Sequence, residues 1–142
     1  MSKKTGGEIE ADIYKLINES TLSSNIGGHV YKEGTRPPNA TSEDIVVSFF
    51  TGIDDFEMQE GYVNVNIYVP DIDNSGDTGE LVKDIARCRA LEILALGVFS
   101  ANTIYSNYIL NLSATIKTFN IEEIEISQHF VNCKVHYRLS TL

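Results

Sequence analysis

Four aliphatic residues alternate with tyrosine and asparagine over residues 62–69, YVNVNIYV. This period of two places the aliphatic side chains on one face of a β-strand and the polar side chains on the other. Such a strand packs one face on a hydrophobic core and leaves the other in water, which is typical of antiparallel sheets. The segment therefore predicts a half-buried sheet, and the rest of the chain must supply the layer that covers its aliphatic face.

Four other segments carry the pattern of a helix or a strand. Apolar residues at helical spacing predict helices over residues 8–20 and about 79–96. A compact apolar run predicts a buried strand at 45–50, and alternation predicts another strand over 108–118.

The start of the second helix and the last strand region carry additional signals. Asp77 and Glu80 are spaced as in a capping box, and Leu81 and Val82 then open the apolar stripe of the helix. Residues 124–139 read as a long strand whose apolar positions change from even to odd numbers. That change requires a bulge or turn near residues 127–129.

The resulting order of elements is α-β-β-α-β-β. It predicts an α+β fold, a two-layer sandwich with a mostly antiparallel sheet of about four strands and two helices on one face. The length of 142 residues corresponds to one domain, 1–142, in which residues 1–7 are expected to be disordered.

Charge is distributed unevenly along the chain. Eleven Lys and Arg against twenty Asp and Glu give a net charge of −9. Residues 37–82 contain no Lys or Arg and ten Asp or Glu, so this one segment carries −10. A chain with this balance is not a general clamp for nucleic acid, and it is not suited to an anionic membrane surface.

The acidic segment supplies two candidate acidic loops at opposite ends of the strand 62–69. Their residues are Asp54, Asp55, Glu57, Asp71, Asp73 and Asp77. The stretch 71–77 begins like a calcium-binding loop, but its twelfth position is Val82 and a strand precedes it, so a turn explains the same residues. We predict no catalytic residues, no metal site and no cofactor.

Two further groups are candidates for a subunit interface. Lys83, Arg87 and Arg89 form a basic face of the second predicted helix. Tyr62 and Tyr68 lie on the uncharged outer face of the alternating strand, and tyrosine is enriched in interfaces. A solvated sheet face with cross-strand pairs explains the two tyrosines equally well.

The passage from Gly27-Gly28-His-Val-Tyr31 through Gly34-Thr-Arg-Pro-Pro38 to the strand 44–47 resembles a known family. It is similar to the small tail-terminator, tail-completion and head–tail-joining (minor tail) proteins of long-tailed bacteriophages. The resemblance implies a structural protein without enzyme activity that assembles as a ring, typically hexameric. Such a ring caps the tail tube, contacts the tube and head-connector proteins, and lets DNA pass without specific binding. In a ring of this kind we expect one of the two acidic loops to face the channel, and the basic face of the second helix to meet an acidic loop of the neighbouring subunit.

The resemblance also implies a location in the virion, and in the bacterial cytoplasm during assembly. No apolar leader segment or membrane span is recognisable, so we expect no membrane partner. Two alternatives remain open. One is a monomeric α+β binding module whose acidic loops capture a basic partner or a divalent metal, and the other is a small hydrolase that uses the acidic cluster.

Overall fold

A computed structural model of the chain describes residues 3–54, 57–73, 81–121 and 127–140. Of these residues, 44% are in strands and 27% in helices. The helices are α1 (Gly6–Asn18), α2 (Thr21–Ser24) and α3 (Ile85–Ala101). The strands are β1 (Val30–Lys32), β2 (Ile45–Asp54), β3 (Met58–Pro70), β4 (Ile72–Asp73), β5 (Leu81–Val82), β6 (Ile104–Tyr105), β7 (Tyr108–Leu112), β8 (Lys117–Asn120) and β9 (Gln128–Ser140).

The main sheet is curled into a half-barrel and has the strand order β1-β2-β3-β9-β7-β6. Strand β8 pairs with β9 beyond the end of β7, so β7 and β8 follow one another along the same side of β9. The β1–β2 pair is parallel, and the other pairs are antiparallel. Strands β4 and β5 form a separate two-stranded hairpin.

The predicted two-layer sandwich with about four strands and two helices is therefore wrong. The molecule is mostly β, with a curled mixed sheet six strands wide and three helices. The extra elements are short: β1, β4, β5 and β6 have two or three residues each, and α2 is one turn. Segments of that length are too short to show a hydrophobic period. The predicted strand 108–118 is also divided, because residues 113–116 leave the ladder between β7 and β8.

The long strands β3 and β9 form the centre of the sheet. They pair without interruption from Met58 opposite Ser140 to Pro70 opposite Gln128. The slip predicted near residues 127–129 is therefore absent from the described part of β9, and residues 122–126 lie outside the described residues. Gln128 is buried on the outer face, where its side-chain amide donates to the Ala40 carbonyl oxygen of the covering loop.

The core lies between the aliphatic face of the sheet and helices α1 and α3. Val63, Val65 and Ile67 of β3 point into it, as the alternation predicts. Helix α1 contributes Ile13 and helix α3 contributes Leu91, both fully buried. We call this side the inner face of the sheet and the opposite side its outer face.

The two long helices begin at different places from those predicted. Helix α3 begins at Ile85, not near residue 79, and the Asp84 carboxylate accepts a hydrogen bond from the Arg87 N–H at 3.1 Å. Leu81 and Val82 belong to β5, and the predicted capping box at 77–80 falls outside the described residues. Helix α1 begins at Gly6, where Thr5 and Glu8 form a reciprocal capping box. None of the described helices has the length and apolar character needed to cross a membrane.

Candidate functional site

A row of exposed isoleucines crosses one end of the outer face. The sheet register places Ile53 beside Glu60, Glu60 beside Arg138, and Arg138 beside Ile109. Ile104 pairs with Ile109 on the next strand. Ile53 is 70% exposed and Ile104 is 78% exposed. The centre of this row is an ion pair, with Arg138 Nε 3.8 Å from Glu60 Oε2.

Phe50 lies near this row because β2 changes register there. The pairing of β2 with β3 shifts between Phe49 and Thr51. A bulge of this kind re-aims a side chain, and Phe50 is left 57% exposed. The Lys134 ammonium lies 5.4 Å from the Phe50 ring centre and 4.8 Å from that of Tyr62. Tyr62 also packs edge-on against His136, with the ring centres 5.3 Å apart.

The middle of the outer face carries cross-strand polar pairs. The Asn132 side-chain amide donates hydrogen bonds to the side-chain oxygens of Asn66 at 2.7 Å and Asn64 at 3.3 Å. Together with the Tyr62–His136 contact, these pairs show how neutral side chains on this face stabilise one another across strands.

The other end of the outer face holds the second predicted tyrosine, Tyr68. The Arg36 guanidinium lies 4.2 Å from its ring centre. Phe130 packs beside Tyr68 at 5.8 Å between ring centres and stacks on Phe119 at 5.4 Å. Tyr68 is therefore partly covered within its own subunit.

The sequence passage that carries the family resemblance folds into a buried ionic contact. Asp44 is fully buried, and its carboxylate accepts hydrogen bonds from Arg36 Nε at 3.0 Å, the His29 backbone N–H at 2.9 Å and the Ser42 hydroxyl at 2.9 Å. Gly28 lies against this carboxylate, and a Cβ added there would overlap it and the Glu43 carbonyl oxygen. This requirement for close approach explains the glycine.

Arg36 also fixes the loop that covers the end of the sheet. Its Nη atoms donate to the Ala40 and Ser42 carbonyl oxygens, each at 3.2 Å, and to Gln128 Oε1 at 3.3 Å. The Gln128 side-chain amide returns a hydrogen bond to the Ala40 carbonyl oxygen at 3.2 Å. The motif residues therefore have a structural role, which is to hold the 33–44 loop against the outer face.

Several carboxylates of the acidic segment have partners in the same chain. Asp54 lies 3.2 Å from Lys3 Nζ, with both side chains about half exposed. Asp71 contacts His129 Nδ1 at 2.7 Å and accepts a hydrogen bond from the Ser127 hydroxyl at 2.7 Å. Asp71 is thus engaged inside the subunit and does not project from it.

The remaining predicted acidic residues lie at the two ends of β3. Glu57 is exposed in the β2–β3 connection, and Asp73 is exposed on β4. Asp55 and Asp77 lie outside the described residues. Strand β3 has thirteen residues, so its ends are about 40 Å apart at the usual rise of a strand. The two acidic groups therefore do not form one cluster within a subunit.

The three residues of the predicted basic interface have different surroundings. Arg87 is engaged within the chain, because its guanidinium donates to both Glu43 carboxylate oxygens at 2.9 and 2.6 Å and to the Asn25 carbonyl oxygen. The hydrogen bond that Arg87 donates to Glu43 raises the pKa of the guanidinium. Arg89 is exposed on α3, and Lys83 is partly buried just before it.

The outward side of α3 is apolar, which the sequence prediction missed. Ile85, Ile93 and Leu96 are 62%, 65% and 51% exposed, although they belong to a helix that already buries Leu91 and Ala95 on its inner side. Large apolar residues on two sides of a helix indicate that both sides are covered. That signal was present in the sequence 85–101 and could have identified this surface.

Two grooves flank Ile93 on this outward side. One has a volume of about 470 Å³ and is lined by Glu92, Ile93, Leu96 and the β7–β8 connection. The other, also about 470 Å³, lies toward α2 and is lined by Ile93, Gly97 and Ala101 among others. Ile93 is therefore a ridge between two concave, largely apolar surfaces.

The described residues contain no group of three side chains that could hold a metal ion. The two cysteines are free and buried. Burial raises the pKa of the Cys133 thiol to about 12 and also raises that of Cys88. A reactive cysteine has a lowered pKa, so neither thiol has the character of a nucleophile.

Comparisons with known proteins bear on the fold alone. No protein-family model matches the chain, and no curated protein matches it. One solved structure, whose name carries no functional description, is similar over 96% of this chain and 96% of its own, with a TM-score of 0.51 and 14% identity. A chain of known structure thus shares the overall fold along nearly its full length.

Proposed function

We propose that this chain is a structural protein of phage or prophage virion assembly that forms a ring, caps the tail tube and joins the tail to the head. The observation that carries the proposal is the presence of two unlike apolar surfaces on opposite sides of the subunit. One is the outer face around Phe50 and Ile53, and the other is the outward side of α3 around Ile93 and Leu96.

Exposed apolar residues in two separate groups favour self-association over a single binding event. Because the two surfaces differ, contact between them is heterologous, and repeated heterologous contacts generate either a closed ring or an open filament. Each subunit has one strand face and one helix face, on opposite layers of the fold. Its strand face can contact the helix face of one neighbour, and its helix face can contact the strand face of the other. This is the arrangement required of a ring subunit.

The charge of the chain fits passage of DNA through such a ring. The net charge is −9, and a negative surface repels phosphate, so DNA passes without specific binding. Exposed Glu57 and Asp73 are the described residues that we propose for acidic surfaces toward the channel or toward the tube and head-connector proteins. In this proposal the protein acts in the virion, and in the host cytoplasm during assembly, with no enzyme activity and no membrane partner.

The direct test is to interrupt the gene in the phage or prophage that carries it and to image the particles. We expect separate heads and tails and a loss of infectious virions, restored when the intact gene is supplied from a plasmid. Normal joined particles from the interrupted gene would contradict the proposal. Capsid, portal and tail-tube genes on either side would be the matching genomic observation.

A further inference from the structure

We infer that the two apolar surfaces are halves of one contact between copies of this chain: Phe50 and Ile53 of one subunit enter the two grooves that flank Ile93 in the next. This inference rests on the proposed function and adds the surfaces that build the ring. We call Phe50 and Ile53 the strand knobs, and the two grooves on either side of Ile93 the helix grooves.

The knobs are positioned to project from the subunit. The register shift at Phe50 turns its ring outward, and Ile53 points from the same face of β2. Both are more than half exposed. Full burial of an isoleucine or phenylalanine side chain stabilises a complex by about 1.5–3 kcal/mol. A strand with two such side chains in water therefore binds favourably to a surface that covers both.

The spacing of the two surfaces matches. Phe50 and Ile53 are three residues apart, which is about 10 Å along a strand. The helix grooves lie on either side of α3, and a helix with its side chains is about 10–12 Å wide. One knob can therefore enter each groove while the strand crosses the Ile93 ridge. Each groove, at about 470 Å³, is large enough for one such side chain.

Charge beside the two surfaces is complementary. Lys134 lies next to Phe50, and Glu60 lies beside Ile53 on the outer face with its side chain 46% exposed. On the other surface Glu92 lines one groove. Arg89 lies one turn before Ile93 on the same side of α3 and is exposed. Each surface thus offers one cation and one anion, which fixes partner and direction more than it adds affinity.

The two surfaces cannot meet within one chain. The strand knobs are on the outer face of the sheet, whereas α3 packs on the inner face and turns its exposed side away from the sheet. The spacing and the charges therefore favour the β2 strand of a second copy as the occupant of the helix grooves. In that arrangement each copy still has one free surface after the first contact forms.

The test uses the full chain and three matched isoleucine-to-lysine variants at exposed positions. Ile53→Lys removes a knob, Ile93→Lys removes the ridge, and Ile104→Lys places the same charge on the outer face away from the proposed contact. Self-association is measured by sedimentation velocity over a range of concentrations, and thermal melting confirms that each variant folds.

We expect Ile53→Lys and Ile93→Lys each to weaken self-association at least tenfold, as the loss of one buried isoleucine implies. Ile104→Lys should match the unchanged chain. Mixing the Ile53→Lys and Ile93→Lys variants should restore one intact contact and give a mixed dimer that grows no further.

Each other outcome has a definite meaning. Rings or larger assemblies that persist unchanged in both variants would overturn the knob-and-groove contact and leave the proposed function standing. Weakening by both variants without a mixed dimer would overturn it in favour of a symmetric contact. A chain that stays monomeric at every concentration would overturn both the contact and the ring.

Discussion

Replacing Arg36 by alanine should destabilise the fold more than any other single arginine substitution. The Arg36 side chain is 14% exposed and that of Asp44 is fully buried, so the pair is almost entirely removed from water. Removing one partner of such a pair leaves an uncompensated buried charge, which costs about 3–5 kcal/mol. The substitution also removes the contact with the Tyr68 ring and the hydrogen bonds to Gln128.

The assay is equilibrium unfolding in urea at low protein concentration, with the slope of the transition compared between variants. We expect the free energy of unfolding of Arg36→Ala to fall by about 3–5 kcal/mol. The matched control is Arg89→Ala, an exposed arginine whose replacement should change stability by less than about 0.5 kcal/mol. A double-mutant cycle with Asp44→Ala then measures the coupling of the pair.

The reasoning would be refuted if Arg36→Ala and Arg89→Ala had equal effects. It would also be refuted by a coupling energy near zero, because the two side chains would then stabilise the loop independently. In either case the passage 27–47 would need an explanation other than a buried ionic contact, such as direct participation in binding.

Two more predictions concern the interior. Gly28→Ala should lower stability by several kcal/mol, because the added Cβ would overlap Asp44. Gly7→Ala should raise stability by up to about 1 kcal/mol, because the added Cβ has open space on α1. Urea unfolding measures the free energy of unfolding of both variants. Stability should also fall as pH rises, above about 9 for Cys133 and above about 10 for Tyr108, by about 1.4 kcal/mol per pH unit for each group. The reason is that the unfolded chain then releases protons that the folded chain retains. Burial raises both pKa values, that of Cys133 from 9.0 to about 12. Tyr108→Phe should reduce this pH dependence in thermal melts between about pH 8 and pH 11. A melting temperature of the unchanged chain that did not vary with pH over this range would contradict the prediction.

The sequence was informative where a pattern is long. The alternation over 62–69 located β3 and its buried face, and helical spacing located α1 and most of α3. It failed where structure depends on distant partners. Nothing local marks Val30–Lys32 as a strand parallel to β2, because that strand is stabilised by its neighbour and not by a period of its own. Leu81 and Val82 fit a helix by spacing but pair with β4.

The candidate surfaces, too, were only partly predictable from the sequence. The composition located the acidic segment, but a charge count cannot show that Asp44 and Asp54 lie against cations from elsewhere in the chain, or that Asp71 contacts His129. The outward aim of Phe50 depends on a register shift that only the pairing of β2 with β3 reveals. The apolar residues on the outward side of α3 were readable from its sequence, because Ile85, Ile93 and Leu96 recur there at helical spacing beside Arg89.

The central claim is that this chain assembles with itself into a closed ring, and its mass in solution tests that claim most directly. Native mass spectrometry of the purified full chain, over a range of concentrations, should show a discrete species at one fixed multiple of 15.8 kDa. A single species at 15.8 kDa at every concentration would contradict the account, and so would a continuous ladder of masses without a closed end point.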